Sequence, residues 1–343
     1  MIGLDISDRS VKVVQLSRKR DRALQSHCFH VMPEGAIERG VIKDEDVVKR
    51  ALKESLEQCR LQLPIKDSIV ASVPETQSFL RVIEVPIMDD DEIDEAVQWE
   101  VSQHIPFGLE NVYIDWQPVF GTGHKAAGGR QEVLVGAAQK KVVDPLVALL
   151  MSLGLDVAAL ELESQAIVRA LVSGELKRKQ GLLIVDLGGS ATNVIIHDHG
   201  TMRFTAGVQR GGHNMLRDLS EEEQIKVSIP QPDSLSPQEA KRIAGVMLPA
   251  QEELVTEVRG VVEFYNSIDL QHEVREILLT GGGSNFPGLD KVFLRFFDNV
   301  HVQRGNPWVN ILQTGKMKTM PIALSESVHF STALGLALRK VYE

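Results

Sequence analysis

Two aspartates, each closing a short apolar run, are the residues of this sequence best suited to holding a divalent cation beside a phosphate. Asp186 ends Leu182-Leu-Ile-Val185 and is followed by Leu187, Gly188, Gly189, Ser190, Ala191, Thr192 and Asn193 before a second apolar run. A strand that ends in a carboxylate and turns through glycines brings backbone N–H groups close to an anion. The carboxylate itself can hold Mg²⁺ directly or through water. Asp5 closes Ile2-Gly-Leu4 and leads through Ser7, Asp8, Arg9 and Ser10 into Val11-Lys12-Val-Val14. The N–H groups and hydroxyls of that turn, with Lys12 beside them, suit phosphate as well. Either pattern alone is also what an ordinary hairpin looks like; the second copy is what points to a ligand.

A third glycine turn, Thr280-Gly281-Gly282-Gly283-Ser284-Asn285, stands between a strand-like run at 274–279 and a helix start near Pro287. Its bare backbone can carry a flat ligand, and a helix N-terminus favours phosphate. Gly211-Gly212-His213-Asn214 is a glycine-rich entry to another helix. Glu161, Glu163 and Gln165 sit where a short strand becomes a helix. They can orient a water, although acids at a helix start are equally what the dipole favours.

The elements that must position these residues follow from periodicity. Strands are expected near 22–32, 68–73, 79–85, 112–120, 132–138 and 155–160, besides those flanking the turns. Val47, Val48, Ala51, Leu52 and Leu56 lie at helical spacing behind Asp44, which predicts a capped helix over 44–59. The acidic run Asp89–Glu95 opens a helix that Pro106 stops, and 142–153 and 161–171 read as helices. Residues 121–130 read as a glycine-rich hairpin loop, and 77–153 as a small α/β insertion. Charged helical pieces at 220–226 and 238–242 flank a proline loop; a long amphipathic helix covers 248–268, and a last helix 325–342.

The 343 residues are 43% hydrophobic, enough for two domains with sizeable cores. A net charge of −10, with three Trp and three Tyr, argues against nucleic acid as a partner. No apolar run approaches the ~20 residues that span a bilayer, and no signal peptide pattern opens the chain. The expectation is a soluble cytoplasmic protein without direct membrane insertion. Cys28 and Cys59 are too few for a disulfide framework and fit a reducing compartment. His27-Cys28-Phe29-His30 lacks a second ligand pair and reads as strand.

The order and spacing of the three turns resemble the phosphate-1, phosphate-2 and adenosine motifs of the actin, chaperone and sugar-kinase superfamily. Within it, several stretches are similar to the type IV pilus assembly protein PilM family. They are Gly3-Leu-Asp5-Ile with Ser10-Val-Lys12-Val-Val14, Gln103-His-Ile-Pro106-Phe-Gly-Leu-Glu110, Phe264-Tyr265 ahead of the third turn, and Leu334-Gly-Leu-Ala-Leu-Arg339. The resemblance covers nearly the whole chain. It implies an α/β, actin-like (ribonuclease H-like) two-lobed fold with an FtsA-type 1C subdomain. The divisions are 1–76 with 154–180 as subdomain 1A, 77–153 as partner-binding 1C, 181–206 with 274–343 as 2A, and 207–273 as 2B.

The resemblance also implies ATP and Mg²⁺ as cofactors. Asp5 and Asp186 would hold hydrated Mg²⁺. Ser7, Ser10, Lys12 and Gly188, Gly189, Ser190, Thr192 and Asn193 would meet the phosphates, with Gly211 and Gly212 nearby. Gly281, Gly282, Gly283, Ser284 and Asn285 would border adenosine. Glu163 falls where the superfamily places its water-orienting group, so any hydrolysis would be slow and rest on it. A nucleotide-facing Glu…Lys helix falls on Glu222–Lys226 or on the piece near Glu239. Ser7 stands where the family usually has Gly.

The implied partner is a PilN-like inner-membrane protein, bound through its N-terminal cytoplasmic segment between the first subdomain and 1C, with 99–109 as part of that surface. Other proteins of the pilus alignment complex would join, self-association is left open, and the chain would sit at the inner membrane through its partner. Two other classes share the motifs. A small-molecule kinase would need a catalytic Asp motif that 77–153 does not offer. An FtsA-like division protein would carry an amphipathic C-terminal anchor, for which 336–343 is too short.

Overall fold

The N-terminal apolar runs form a hairpin: β1 (Ile2–Ile6) is buried throughout and pairs antiparallel with β2 (Ser10–Leu16), placing Asp5 opposite Lys12. β3 (Leu24–Val31) continues antiparallel on β2, and a ribbon of β4 (Ile37–Glu38) and β5 (Val41–Ile42) follows. On the other side of β1 run β6 (Ile69–Val73) and then β10 (Val157–Leu162), both parallel to it. The sheet order is therefore β10-β6-β1-β2-β3. The computed structural model describes all residues except 18, 20–21, 62–67, 89, 104–107, 120–128, 175, 177–180, 199, 229–234, 269–272, 313–318 and 340–343. The Pro106 stop, most of the glycine-rich loop, the prolines at 230 and 232 and the end of the tail lie outside the described residues.

The second half builds the same unit again. β11 (Leu182–Leu187) pairs antiparallel with β12 (Thr192–Asp198), so Asp186 stands opposite Asn193 as Asp5 stands opposite Lys12. β13 (Thr201–Val208) follows antiparallel, while β14 (Glu276–Thr280) and β15 (His301–Arg304) extend the other side in parallel. Strands covered on both faces need unbroken apolar runs, which is why β6, β11 and β14 read so clearly. This sheet continues past β13 into β7 (Ser78–Pro86), β9 (Arg130–Gln139) and β8 (Val112–Pro118), the strands of the insertion.

Helix Glu45–Gln58 starts where Asp44 accepts the Val47 N–H at 3.0 Å. It packs on β2 and β3, and its Val48, Leu52 and Leu56 share one buried core with Ile2 and Leu4. Asp44→Ala is expected to cost about 1 kcal/mol, read as a lower urea midpoint at unchanged slope. Helix Lys140–Ser152, at the end of the insertion, sends Leu146, Leu149 and Leu150 into this same core. The insertion has its own core, Val97 and Val101 of helix Asp90–Ser102 against Val85, Val133 and Val135. Arg203 of β13 donates to both oxygens of Glu132 on β9, at 2.7 and 2.6 Å, both side chains nearly buried. Burial alone would lower the Arg203 pKa; the Glu132 carboxylate outweighs it and holds it raised.

The pieces expected at 238–242 and 248–268 are one helix, Pro237–Ile268, which continues through Pro249. Ile243 and Met247 are buried with Leu254, Val255 and Val258 in the second lobe's core, so packing across the sequence gap overrides the break. The expected tail helix is instead interrupted: Leu324–Ser327, a 3₁₀ turn at Val328–Phe330, then Ser331–Ala337. That last segment and helix Glu163–Leu171 lie between the lobes. A Cβ on Gly335 would come 1.9 Å from the Ala166 carbonyl oxygen, and one on Gly3 the same distance from that of Ala333.

Cys28 and Cys59 are joined in a disulfide with Cα atoms 5.4 Å apart, against the expectation of two thiols in a reducing compartment. Helix Glu45–Gln58 packs along β3 and ends with Cys59 beside Cys28, a proximity that spacing alone does not reveal. The flanking His27 and His30 face Glu326 and Glu54. Among the described residues no helix is long and apolar enough to cross a membrane.

Candidate functional site

The two hairpin turns face each other across a cleft of about 580 Å³ between the lobes. Asp5, Ser7, Ser10 and Lys12 line one wall; Asp186, Gly188, Gly189, Ser190 and Asn193 line the other, with Glu163, Gly212 and Gly281–Gly283 completing it. The repeat thus delivers one aspartate from each lobe at corresponding positions. Asp5, buried, accepts from Lys12 Nζ at 2.9 Å and from Ser72 Oγ at 3.2 Å. Ser7 and Ser10 hydroxyls lie 3.1 Å apart in the first turn.

Burial pulls the Lys12 pKa down, but Asp5, helped by Asp186 and Glu163, raises it overall, so the ammonium stays charged. Asp186 is pushed up to about 6 by burial, with Asp5 adding and Lys12 opposing. Glu163 is pushed well above the usual carboxylate range by burial and by Asp5 and Asp186. It accepts from Asn193 Nδ2 at 2.8 Å and from the Glu75 N–H at 3.4 Å. Glu75 in turn accepts from the Ser164 N–H at 3.3 Å, and burial raises its pKa too.

Asp5, Asp186 and Glu163 all act on one lysine, an excess of acidic groups that together with burial raises the Asp186 and Glu163 pKa values. A divalent cation is the species that would relieve it, and oxygen donors are what Mg²⁺ takes. Among the described residues no group of three acids or imidazoles is arranged to hold a metal directly; the two aspartates facing the glycine turns fit Mg²⁺ that keeps its water shell beside an anionic ligand.

Several sequence candidates stand outside the cleft lining. Thr192 is buried, its hydroxyl donating to the Arg210 carbonyl at 2.7 Å. Gly211 packs on the second turn, where a Cβ would come 2.6 Å from the Gly189 carbonyl oxygen. Ser284 donates to the Gly281 carbonyl at 2.7 Å, and Asn285 bridges Ser325 and Arg304; both brace the third turn rather than face the cleft. Lys226 pairs with Glu222 at 2.8 Å and with Glu239 at 3.3 Å on an outer face. The two places left open for the Glu…Lys helix are thus one cluster, and from helix Glu221–Ser228 it is Ser228 that lines the cleft.

Sequence reasoning missed Glu75, Arg9, His213 and His329, all of which line the cleft. Pro74-Glu75 follows β6, at the carboxyl end of a parallel strand where α/β folds bind ligands, so that signal was available. His329 had none, because the tail reads as one helix. The 3₁₀ turn brings its ring against Gly282, and burial, then Lys12, push its pKa down to about 4.

A second, larger groove of about 1350 Å³ runs between β8, helix Lys140–Ser152 and helix Glu163–Leu171. Consecutive residues Tyr113–Gln117 line it, as the outer edge of a terminal strand would. Met151 is 65% exposed in it. Buried Glu161, held by Arg169 and by Arg339 at 3.3 Å, marks its polar end. No described residue of 99–109 lines this groove; Trp99 is exposed elsewhere on the insertion.

A repeated hairpin-and-parallel-strand unit with one aspartate per copy, closing on a cleft, is the frame of the actin-like proteins. The structure is similar to MreB 5 of Spiroplasma citri bound to AMPPNP, with a TM-score of 0.50 at 12% identity over 97% of this chain and 93% of that one. The cell division protein FtsA of Bacillus subtilis (strain 168) is 21% identical over 237 residues, 64% of this chain. This chain spans about half (53%) of that relative's length. The chain belongs to the type IV pilus assembly protein PilM family, whose model matches residues 3–341. The solved PilM-PilN type IV pilus biogenesis complex is similar throughout, with a TM-score of 0.80 at 26% identity over 100% of this chain and 98% of that one.

Proposed function

We propose that this chain is an actin-like scaffold of a type IV pilus assembly machine. It binds ATP with Mg²⁺ in the cleft and recruits the N-terminal cytoplasmic segment of a PilN-like inner-membrane protein. The observation that carries the nucleotide part is the pair Asp5 and Asp186, one from each repeat, meeting over one lysine. In this reading the two aspartates would hold hydrated Mg²⁺, which would supply positive charge against the phosphates. The Ser7–Ser10 turn, Lys12 and Gly188–Ser190 bind the phosphates; Gly281–Gly283 bound the adenosine.

Asn193 fixes the Glu163 carboxylate at 2.8 Å, where it can orient an attacking water. Glu163→Gln is expected to reduce ATP turnover at least tenfold while nucleotide affinity changes little. Turnover at the wild-type rate removes Glu163 from the chemistry.

The larger groove suits the peptide. An extended segment can add to the β8 edge and seat apolar side chains on Tyr113, Val147 and Met151. One helix serves both sites: Glu163 opens into the cleft, while Val168 and Arg169, on the same helix, line the groove. Lobe closure on nucleotide would then be felt by the peptide. The subdomain division given above (1A, 1C, 2A, 2B), attachment to the inner membrane through the partner and association with other alignment-complex proteins belong to the same proposal. Val147→Glu is expected to weaken binding of a labelled PilN-like N-terminal peptide at least tenfold, measured by fluorescence anisotropy. Undiminished binding would move the peptide elsewhere.

A further inference from the structure

The first turn carries an arginine, Arg9, that lines the cleft beside the phosphate-facing groups. The Arg9 carbonyl accepts from the Met32 N–H at 3.0 Å, and neighbouring Asp8 accepts from the Arg39 and Gly40 N–H groups, each at 2.8 Å. These bonds anchor the backbone on both sides and leave the Arg9 side chain to cross the cleft. Its Cγ lies 3.3 Å, and His213 Cε1 3.5 Å, from where a Cβ on Gly189 would be. The arginine stem therefore lies over the opposing phosphate turn. Its guanidinium is held by Glu34 at 2.7 Å, and Glu34 is 81% exposed.

The chemistry of the other basic groups isolates Arg9. Lys12 is committed to buried Asp5. Burial and the Arg9 charge lower the His213 pKa below its ordinary 6.5, and burial pushes His329 down to about 4, so both rings are neutral at pH 7. Arg9 alone among the described cleft-lining cations is paired with a carboxylate that stands mostly in water. Such a pair is weak, whereas a guanidinium on a multiply charged phosphate forms short, two-pronged bonds. We propose that Arg9 is a phosphate ligand held in reserve: Glu34 keeps its guanidinium at the mouth of the cleft, and the nucleotide's phosphate chain takes it over across the Gly189 turn. The inference rests on the nucleotide reading of the cleft.

The test is calorimetric titration of Mg²⁺-ATP into the full chain as wild type, Arg9→Ala, Glu34→Gln and the double variant. Arg9→Ala is expected to weaken binding ten- to a hundredfold, in the range of about one or two charge-assisted bonds. Glu34→Gln is expected to tighten it about two- to fivefold by releasing Arg9. In the double variant the gain disappears, because Glu34 acts only through Arg9. Thermal midpoints of the nucleotide-free variants within a few degrees of wild type exclude unfolding as the cause. Wild-type affinity in Arg9→Ala, or a Glu34→Gln gain that persists without Arg9, overturns the inference while leaving the nucleotide site standing. A wild type that binds no nucleotide overturns the reading beneath it.

Discussion

Asp186→Asn is expected to weaken Mg²⁺-ATP binding on the order of a hundredfold, the upper end for carboxylates that hold a metal through its hydration shell. The residual binding should no longer depend on Mg²⁺. The reason is geometric as much as electrostatic: Asp186 is the second lobe's counterpart of Asp5, and Asp5 already shares its charge with Lys12 at 2.9 Å. Titrations with Mg²⁺ and with EDTA measure this directly; wild-type affinity for Mg²⁺-ATP in the variant would refute it.

The same group sets a pH dependence. Burial and Asp5 raise Asp186 from an ordinary 3.8 to about 6. Metal binding requires the carboxylate, so wild-type affinity for Mg²⁺-ATP should fall about tenfold between pH 7 and pH 5; the asparagine variant should show no such slope. Stability of the nucleotide-free protein runs the other way. A pKa raised on folding means that the folded state binds the extra proton. The stability from this group is complete below its unfolded value and is lost as pH rises through about 6. The wild-type minus Asp186→Asn difference in urea midpoint, followed from pH 4 to pH 7, isolates that contribution.

Removing the Cys28–Cys59 bond is expected to cost about 3–4 kcal/mol, the chain-entropy value for a closed loop of this size; the two cysteines are 31 positions apart. The bond ties β3, an edge strand, to the end of helix Glu45–Gln58. Phe29 and Val31 of that strand line the cleft, so its attachment matters to the site. Both sulfurs are buried, and the replacement Cys28→Ala with Cys59→Ala is therefore a cleaner probe than a reductant. An unchanged urea midpoint in that double variant would show that packing alone holds the strand.

Much of the site was legible because its signals are local. An apolar run ending in Asp and turning through glycine or serine marks Asp5 and Asp186 wherever the chain goes next, and their recurrence announced the repeat. The helix behind Asp44 was legible from its cap and spacing. What escaped depends on distant packing. Glu222 and Lys226 were carried in by resemblance, yet their charges satisfy each other and Glu239 on an outer face. Thr192, a polar residue in a glycine turn, looked like a phosphate ligand but spends its hydroxyl on the Arg210 carbonyl. Glu75 follows the carboxyl end of β6 and so carried a signal, but its bond to Glu163 arises only from the pairing of β6 with β10; Arg9 gains meaning only when the second lobe sets Gly189 against its stem. The disulfide and the interrupted tail belong to the same class: each follows from which elements become neighbours.

In the proposed function, helix Glu163–Leu171 couples a nucleotide cleft to a peptide groove. The most direct measurement is calorimetric titration of Mg²⁺-ATP with and without a saturating peptide from the N-terminal cytoplasmic segment of a PilN-like protein. ATP is expected to bind and the peptide to change its affinity, with ATP changing the peptide's affinity by the same factor. Binding of either ligand with no effect on the other would contradict it.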